Sequence, residues 1–173
     1  RGGWEARREG RGGAGKGPRR GSRRGGGFPE SLALMRPDWM AVPPADLSSE
    51  WLVAARPEGR RCVVLARGGR TVARDSRSGK TVAAFASSLP GGGLLAGGKG
   101  QQCALDCVLQ EAAPGEDAPM AGGQAPELKF WVLDVLFWGD LAMVDCEAEM
   151  RVFWAACKVE EVGSGAEQFR PVV

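Results

Sequence analysis

Leu128–Trp154, reading LKFWVLDVLFWGDLAMVDCEAEMRVFW, is the densest apolar run of the chain and holds three of its six tryptophans. Its first half is rich in β-branched and aromatic residues, Gly139-Asp140 interrupts it, and apolar residues return from Leu141 to Val144. That pattern predicts a β-hairpin whose first strand is buried on both faces. Upstream, short apolar stretches recur between turn residues at 51–56, 61–66, 70–74, 80–86 and 103–110. Pro57-Glu58-Gly59, Gly68-Gly69 and Ser78-Gly79 separate the first four, and glycine reaches positive φ there without steric cost. The expectation is an antiparallel meander. After Val144 the period changes. Met150, Phe153, Trp154 and Cys157 fall at i, i+3, i+4 and i+7, which predicts an amphipathic helix laying that face on the sheet. Asp145 is its expected N-cap, and Lys158 suits the negative end of its dipole.

The flanks are less regular. Residues 31–40 (SLALMRPDWM) make a short apolar approach that ends at Pro37, because the residue before a proline is pushed out of the helical region. Val42-Pro43-Pro44 is a stiff linker, and Asp46–Glu50 is expected to form a single turn. Residues 90–101 and 111–127 are Gly/Pro/Ala loops, and the stretch after the helix has little periodicity. The resulting fold class is α+β, a mainly antiparallel β-sheet with one amphipathic helix. Its expected parts are an Arg/Gly-rich segment 1–27, an N-terminal arm 28–45, a folded body 46–158 and an irregular tail 159–173.

At 173 residues, with 43% apolar and 25% charged, the chain is the size of one ordinary globular domain. Charge is unevenly spread. Residues 1–27 hold nine basic and two acidic residues (+7), leaving 14 basic against 19 acidic (−5) in the remainder, so the formal +2 describes neither part. The first segment has almost nothing to bury and is expected to be disordered, as an RGG-like tail for single-stranded RNA or as a fragmentary or mispredicted leader. An acidic body argues against broad, sequence-blind phosphate binding, while leaving room for a local arginine pocket. Five cysteines, an odd number, suggest reduced thiols. Cys103-Ala-Leu-Asp-Cys107 lacks the spacing of a zinc site, and no histidine is present to serve as metal ligand or general base. No metal or cofactor is expected. No apolar run approaches the ~18 residues needed to cross a bilayer as a helix, and no membrane partner is expected.

Three features carry candidate chemistry. Arg77-Ser78-Gly79-Lys80-Thr81 ends like a phosphate-binding P-loop, but Arg74 stands where that motif needs glycine and a β-pattern follows, so a hairpin turn is expected. Trp39 stands in a polar, Pro-flanked segment outside any apolar periodicity. It is either a plug at the sheet edge or a platform that stacks on a base, best on a cationic methylated one. Arg60, Arg61 and Arg77 lie at or beside turns. They are either solvated surface or, with Trp39, a pocket for a base and its phosphates, which guanidinium matches bidentately.

Met35–Trp39 (MRPDW), Asp46–Trp51 (DLSSEW), Pro57–Arg61 (PEGRR), Ser87–Gly92 (SSLPGG), Leu105–Cys107 (LDC), Val132–Trp138 (VLDVLFW) and Asp145–Trp154 (DCEAEMRVFW) follow one another in the order found in snurportins. The chain resembles that family over about Met35 to Lys158. The resemblance implies binding of the trimethylguanosine (m3G) cap of spliceosomal small nuclear RNA, nuclear import of the particle, and shuttling between nucleus and cytoplasm. It also implies a fold like the first half of the nucleotidyltransferase domain of mRNA capping enzymes and DNA ligases. In those enzymes the nucleophilic lysine lies in K-x-D-G-x-R, and the matching hexapeptide is Arg56-Pro57-Glu58-Gly59-Arg60-Arg61. A guanidinium stays protonated and cannot attack a phosphate. Asp106-Cys107-Val108 matches D-G-E and lacks its glutamate, so a nucleotide-shaped cleft without catalysis is implied. Carried over residue by residue, Trp39 matches a cap-contacting tryptophan, Arg60 and Arg61 the basic pair of the cap-contacting segment, and Arg77 a phosphate-contacting lysine. Pro37 replaces a cap-contacting serine. Importin-β and exportin-1 are partners of the family, but residues 1–27 do not match its importin-β-binding helix. The segment with a second stacking tryptophan is not matched either, so an incomplete copy with weakened or lost cap binding is expected. A vestigial, non-binding fragment and an active nucleotidyltransferase are the alternatives.

Overall fold

The computed structural model describes residues 34–35, 40–94, 100–110, 128–162 and 169–172. They contain seven strands and one helix: β1 Arg60–Arg67, β2 Arg70–Asp75, β3 Thr81–Phe85, β4 Gln102–Gln110, β5 Lys129–Gly139, β6 Leu141–Ala142, α1 Ala148–Glu161 and β7 Phe169–Pro171. One sheet orders them β3-β2-β1-β4-β5-β6, all antiparallel, with β7 pairing parallel to β5. A mainly antiparallel sheet with a single helix is the α+β architecture that the patterning predicts. The predicted turns at Gly68-Gly69, Ser78-Gly79 and Gly139-Asp140 fall between β1 and β2, β2 and β3, and β5 and β6.

The sheet is curled. Phe85 of β3 stacks on Phe130 of β5 at 5.4 Å between ring centroids, and Phe130 on Phe169 of β7 at 5.3 Å. Flat strands ~4.8 Å apart would hold β3 and β5 roughly 19 Å from each other. Irregular register within β2–β3 at Ala73/Arg74, and within β4–β5 at Ala104/Leu105 and Asp106/Cys107, supplies the bending. Small side chains fill the core side: Cys62, Val64, Ala66, Ala73, Cys103 and Cys107 are each 0% exposed. Ala155 and Val159 of α1 close over the same core.

Several expectations are corrected. The segment 51–56 is not a strand: Trp51, Leu52 and Val53 are exposed, in chain outside any strand or helix. Both edges of β1 are already taken by β2 and β4, so the segment finds no ladder there. Trp51 donates instead to Asp46 Oδ1 at 3.2 Å, against the single turn that Asp46–Glu50 does form. The strand buried on both faces is β4, whose first eight residues are all buried because β1 and β5 flank it; burial along the first part of β5 alternates. Helix α1 buries Arg151, Ala155 and Val159; of the predicted stripe, Met150 and Phe153 are 52% and 65% exposed, while Trp154 and Cys157 are half-buried and Trp154 packs against the core. Its N-cap is Glu147 rather than Asp145. The chain before it is fixed from below, since Arg151 Nη1 donates to the Cys146 carbonyl. Lys158 does lie in the last turn. Within the stretch read as an irregular tail, α1 continues to Glu161 and β7 joins the sheet, with Phe169 buried at 3% exposure.

Candidate functional site

The chain reaches β1 through Gly59, whose φ is +146° and whose missing side chain matters. A Cβ there would stand 2.4 Å from the Leu109 carbonyl oxygen and 2.7 Å from Val108 Cγ1. Glycine therefore lets the segment press against β4 and sets the start of β1. From that start, strand alternation sends Arg60 and Arg61 to opposite faces. Arg60 lies on the core side, where its charge acts on Asp75 and Cys62. Arg61 lies on the outer side. The two members of the basic pair thus do not share one surface.

Arg61 is bound side-on to Asp106: Nε donates to Oδ1 at 3.0 Å and Nη2 to Oδ2 at 2.5 Å, and Nη2 also reaches the Met35 carbonyl. The Asp106 side chain is 1% exposed and that of Arg61 21%. Burial pushes the Asp106 carboxyl above the usual carboxylate range, Arg61 pulls it back, and neighbouring Asp134 adds to the rise. The hydrogen bond from Arg61 in turn holds its guanidinium further up. With a guanidinium on both oxygens, the carboxylate is the form present at neutral pH.

Asp106 faces Asp134 directly across β4 and β5. Asp134 is also buried, and Arg151 Nε of α1 donates to its Oδ1 at 2.8 Å. Arg151 Nη2 contacts Met35 Sδ at 3.1 Å, so Met35 touches both arginines. Two cations and two anions are therefore packed between the sheet, the helix and the arm. Asp106, Asp134, Arg151 and Met35 were not expected to belong to the site. The signal was present, since each aspartate interrupts an apolar strand (Leu105-Asp106-Cys107, Leu133-Asp134-Val135) and a buried carboxylate requires a partner.

Arg77 sits in the β2–β3 turn at the same end of the sheet. Asp75 Oδ1 accepts from the backbone N–H of Arg77 at 3.0 Å and of Ser78 at 2.7 Å, and from Ser78 Oγ at 2.9 Å. These bonds, the Ser78 amide first, hold the Asp75 carboxyl below its usual value. The turn is tied to β1 through Ser76 N–H, which donates to the Arg61 carbonyl at 3.1 Å, and Gly79 closes it at φ +67°. The Gly-Lys-Thr sequence is thus a hairpin turn, as expected. Trp39 lies outside the described residues.

The Ser87–Gly92 motif is structural. Ser87 Oγ and Thr71 Oγ1 share a buried hydrogen bond of 2.7 Å, and a Cβ on Gly92 would meet Ser87 Oγ at 2.3 Å. Most of the motifs meet around this site, with Met35, Arg61, Asp106, Asp134 and Arg151 each coming from a different one. The family described as "Snurportin1, m3G cap-binding domain" matches residues 33–170. The chain belongs to this snurportin cap-binding family. The match spans the charged network and the Arg77 turn and reaches into β7. A family defined by binding an m3G cap is one of binding modules rather than enzymes, and its RNA partner is the capped 5′ end.

Proposed function

We propose that this chain binds the m3G cap of small nuclear RNA, with Trp39 stacking on the methylated base and Arg61 and Arg77 on the phosphates. One observation carries the reading: Arg61 is held by Nε and Nη2, while Nη1 makes no hydrogen bond among the described residues. A guanidinium so oriented offers its remaining donors to an anion at little further entropic cost. Arg77 stands on a turn whose backbone is braced against the Arg61 carbonyl, which keeps the two residues at one end of the sheet. Arg60, on the other face, steadies that turn through Asp75. The framework is that of a nucleotidyltransferase domain turned to binding, with Arg56 where the nucleophilic lysine would be. The wider role is that of a nuclear import adaptor shuttling between cytoplasm and nucleus in partnership with importin-β and exportin-1.

Titration with an m3G cap dinucleotide against tryptophan fluorescence tests it. Saturable quenching is expected, lost in Trp39→Ala and weakened in Arg77→Gln. Loss of one stacking face costs ~1–3 kcal/mol, or about one to two decades in affinity. Absence of saturable quenching in the unaltered chain would overturn the reading.

A further inference from the structure

The outer face of the β1–β2–β3 half of the sheet carries a charge pattern that the cap pocket does not use. Alternation puts Arg61, Val63, Leu65 and Arg67 on that face of β1. The register Val63↔Arg74, Leu65↔Val72 and Arg67↔Arg70 sets Arg70, Val72 and Arg74 beside them. Arg67, Arg70 and Arg74 are exposed, whereas Cys62, Val64, Ala66, Thr71 and Ala73 on the opposite face are buried. The only carboxylate within these three strands is Asp75, which pairs with Cys62 and belongs to the other face. Arg67 and Arg70 are direct cross-strand partners, an arrangement in which like charges repel. Among the described residues none of the three makes an ion pair. Half-buried Val63, Leu65 and Val72 form an apolar floor between them.

We infer that this face binds the phosphodiester backbone of the RNA that continues from the cap. The inference rests on the cap-binding reading, because a 5′ cap is by its chemistry the end of an RNA chain. Arg61 stands at one end of the face, and Arg67 lies six residues along β1, roughly 20 Å away. RNA leaving the cap phosphates therefore meets a second set of cations on the same surface. Guanidinium both pairs with phosphate and stacks on bases, and it does so without regard to sequence. An acidic protein segment would answer the charge but not the continuity with the phosphate-contacting residues.

The experiment compares the full chain with Arg67→Gln/Arg70→Gln/Arg74→Gln, using an m3G cap dinucleotide and a short m3G-capped oligoribonucleotide. The basic residues 1–27 are common to both proteins, so their contribution cancels. Arg170→Gln, at the exposed position of β7 on the other side of the sheet, controls for lost charge. The triple variant should bind the dinucleotide unchanged and the oligonucleotide more weakly. Its log–log salt dependence should be about two units shallower, so the advantage of the unaltered chain shrinks on the order of 20-fold between 50 and 200 mM salt. Its thermal midpoint should not fall, because the repulsion between Arg67 and Arg70 is relieved. Equal oligonucleotide affinity in the two proteins, an equal loss in Arg170→Gln, or competition by polyglutamate as effective as by RNA of equal charge would each overturn the inference. No binding of the dinucleotide by either protein would instead overturn the cap-binding reading beneath it.

Discussion

Asp106 and Asp134 stand opposite each other on adjacent strands, 1% and 3% exposed, and each is neutralised by an arginine from a different part of the fold. Two carboxylates in that relation repel, so neither arginine is replaceable by a neutral residue. Arg151→Met should cost about 3–5 kcal/mol, the range for leaving one partner of a buried pair uncompensated. Arg61→Met should cost less, because the Arg61 side chain is 21% exposed and that of Arg151 8%. The double variant Arg151→Met/Asp134→Leu should recover most of the loss, since replacing both partners by apolar groups removes the stranded charge. Urea unfolding of the three variants checks the order. A double variant no more stable than the Arg151 variant would show that the ion pair is not what Arg151 contributes.

Two aspartates should titrate in opposite directions. Burial raises Asp106, so the folded state holds its proton more tightly than the unfolded chain does. This group therefore lowers stability as pH rises from about 3.9, the unfolded value, through its raised folded value. Asp75 is lowered by the Ser78 and Arg77 hydrogen bonds. Its contribution is present above about 3.9 and is lost as pH falls through its depressed folded value. Carboxyl-carbon NMR titration should place the Asp106 midpoint above that of Asp75, and Asp75→Asn should remove the lower transition. The reverse order would contradict the burial of Asp106.

On α1, Phe153→Ser should change stability by within about 1 kcal/mol, because Phe153 is 65% exposed. Ala155→Glu should prevent stable folding, since Ala155 is 4% exposed within the core and a charge there has no partner. Thermal melts separate the two cases. Equal effects would restore the helix face that the apolar spacing predicts. That spacing chose Met150, Phe153, Trp154 and Cys157, whereas the buried stripe is Arg151, Ala155 and Val159 at i, i+4 and i+8. The stripe is invisible to hydropathy because its first member is an arginine, buried only by virtue of Asp134, 17 residues earlier on β5. The strands β1–β5 were legible because glycine turns and β-rich composition mark each one locally. The 51–56 segment has the same composition and still forms no strand, since pairing depends on a free edge that sequence does not reveal. At the candidate site, the sequence marks Arg61 and Arg77 only as cations beside turns; the Asp106 contact to Arg61 and the Asp75 bonds that shape the Arg77 turn depend on long-range register and on turn geometry.

Cysteine reactivity should divide along the same core. Cys62, Cys103 and Cys107 are buried, while Cys146 and Cys157 are half-buried. Burial pushes the Cys62 thiol up to about 12, with Asp106 adding to the rise, and pushes Cys103 and Cys107 well above the ordinary value. The thiolate is the nucleophile, so Cys62 offers almost none of it at pH 8 while it stays buried. Iodoacetamide on the native chain should therefore label Cys146 and Cys157 first, and the three core thiols only at the rate of global opening. Mass spectrometry of timed digests measures this site by site. Arg151→Met should bring core labelling forward, because loss of the Arg151–Asp134 pair lowers the cost of the global opening through which the buried thiols are reached. Early labelling of Cys62 in the unaltered chain would show that the curled sheet does not close over its core.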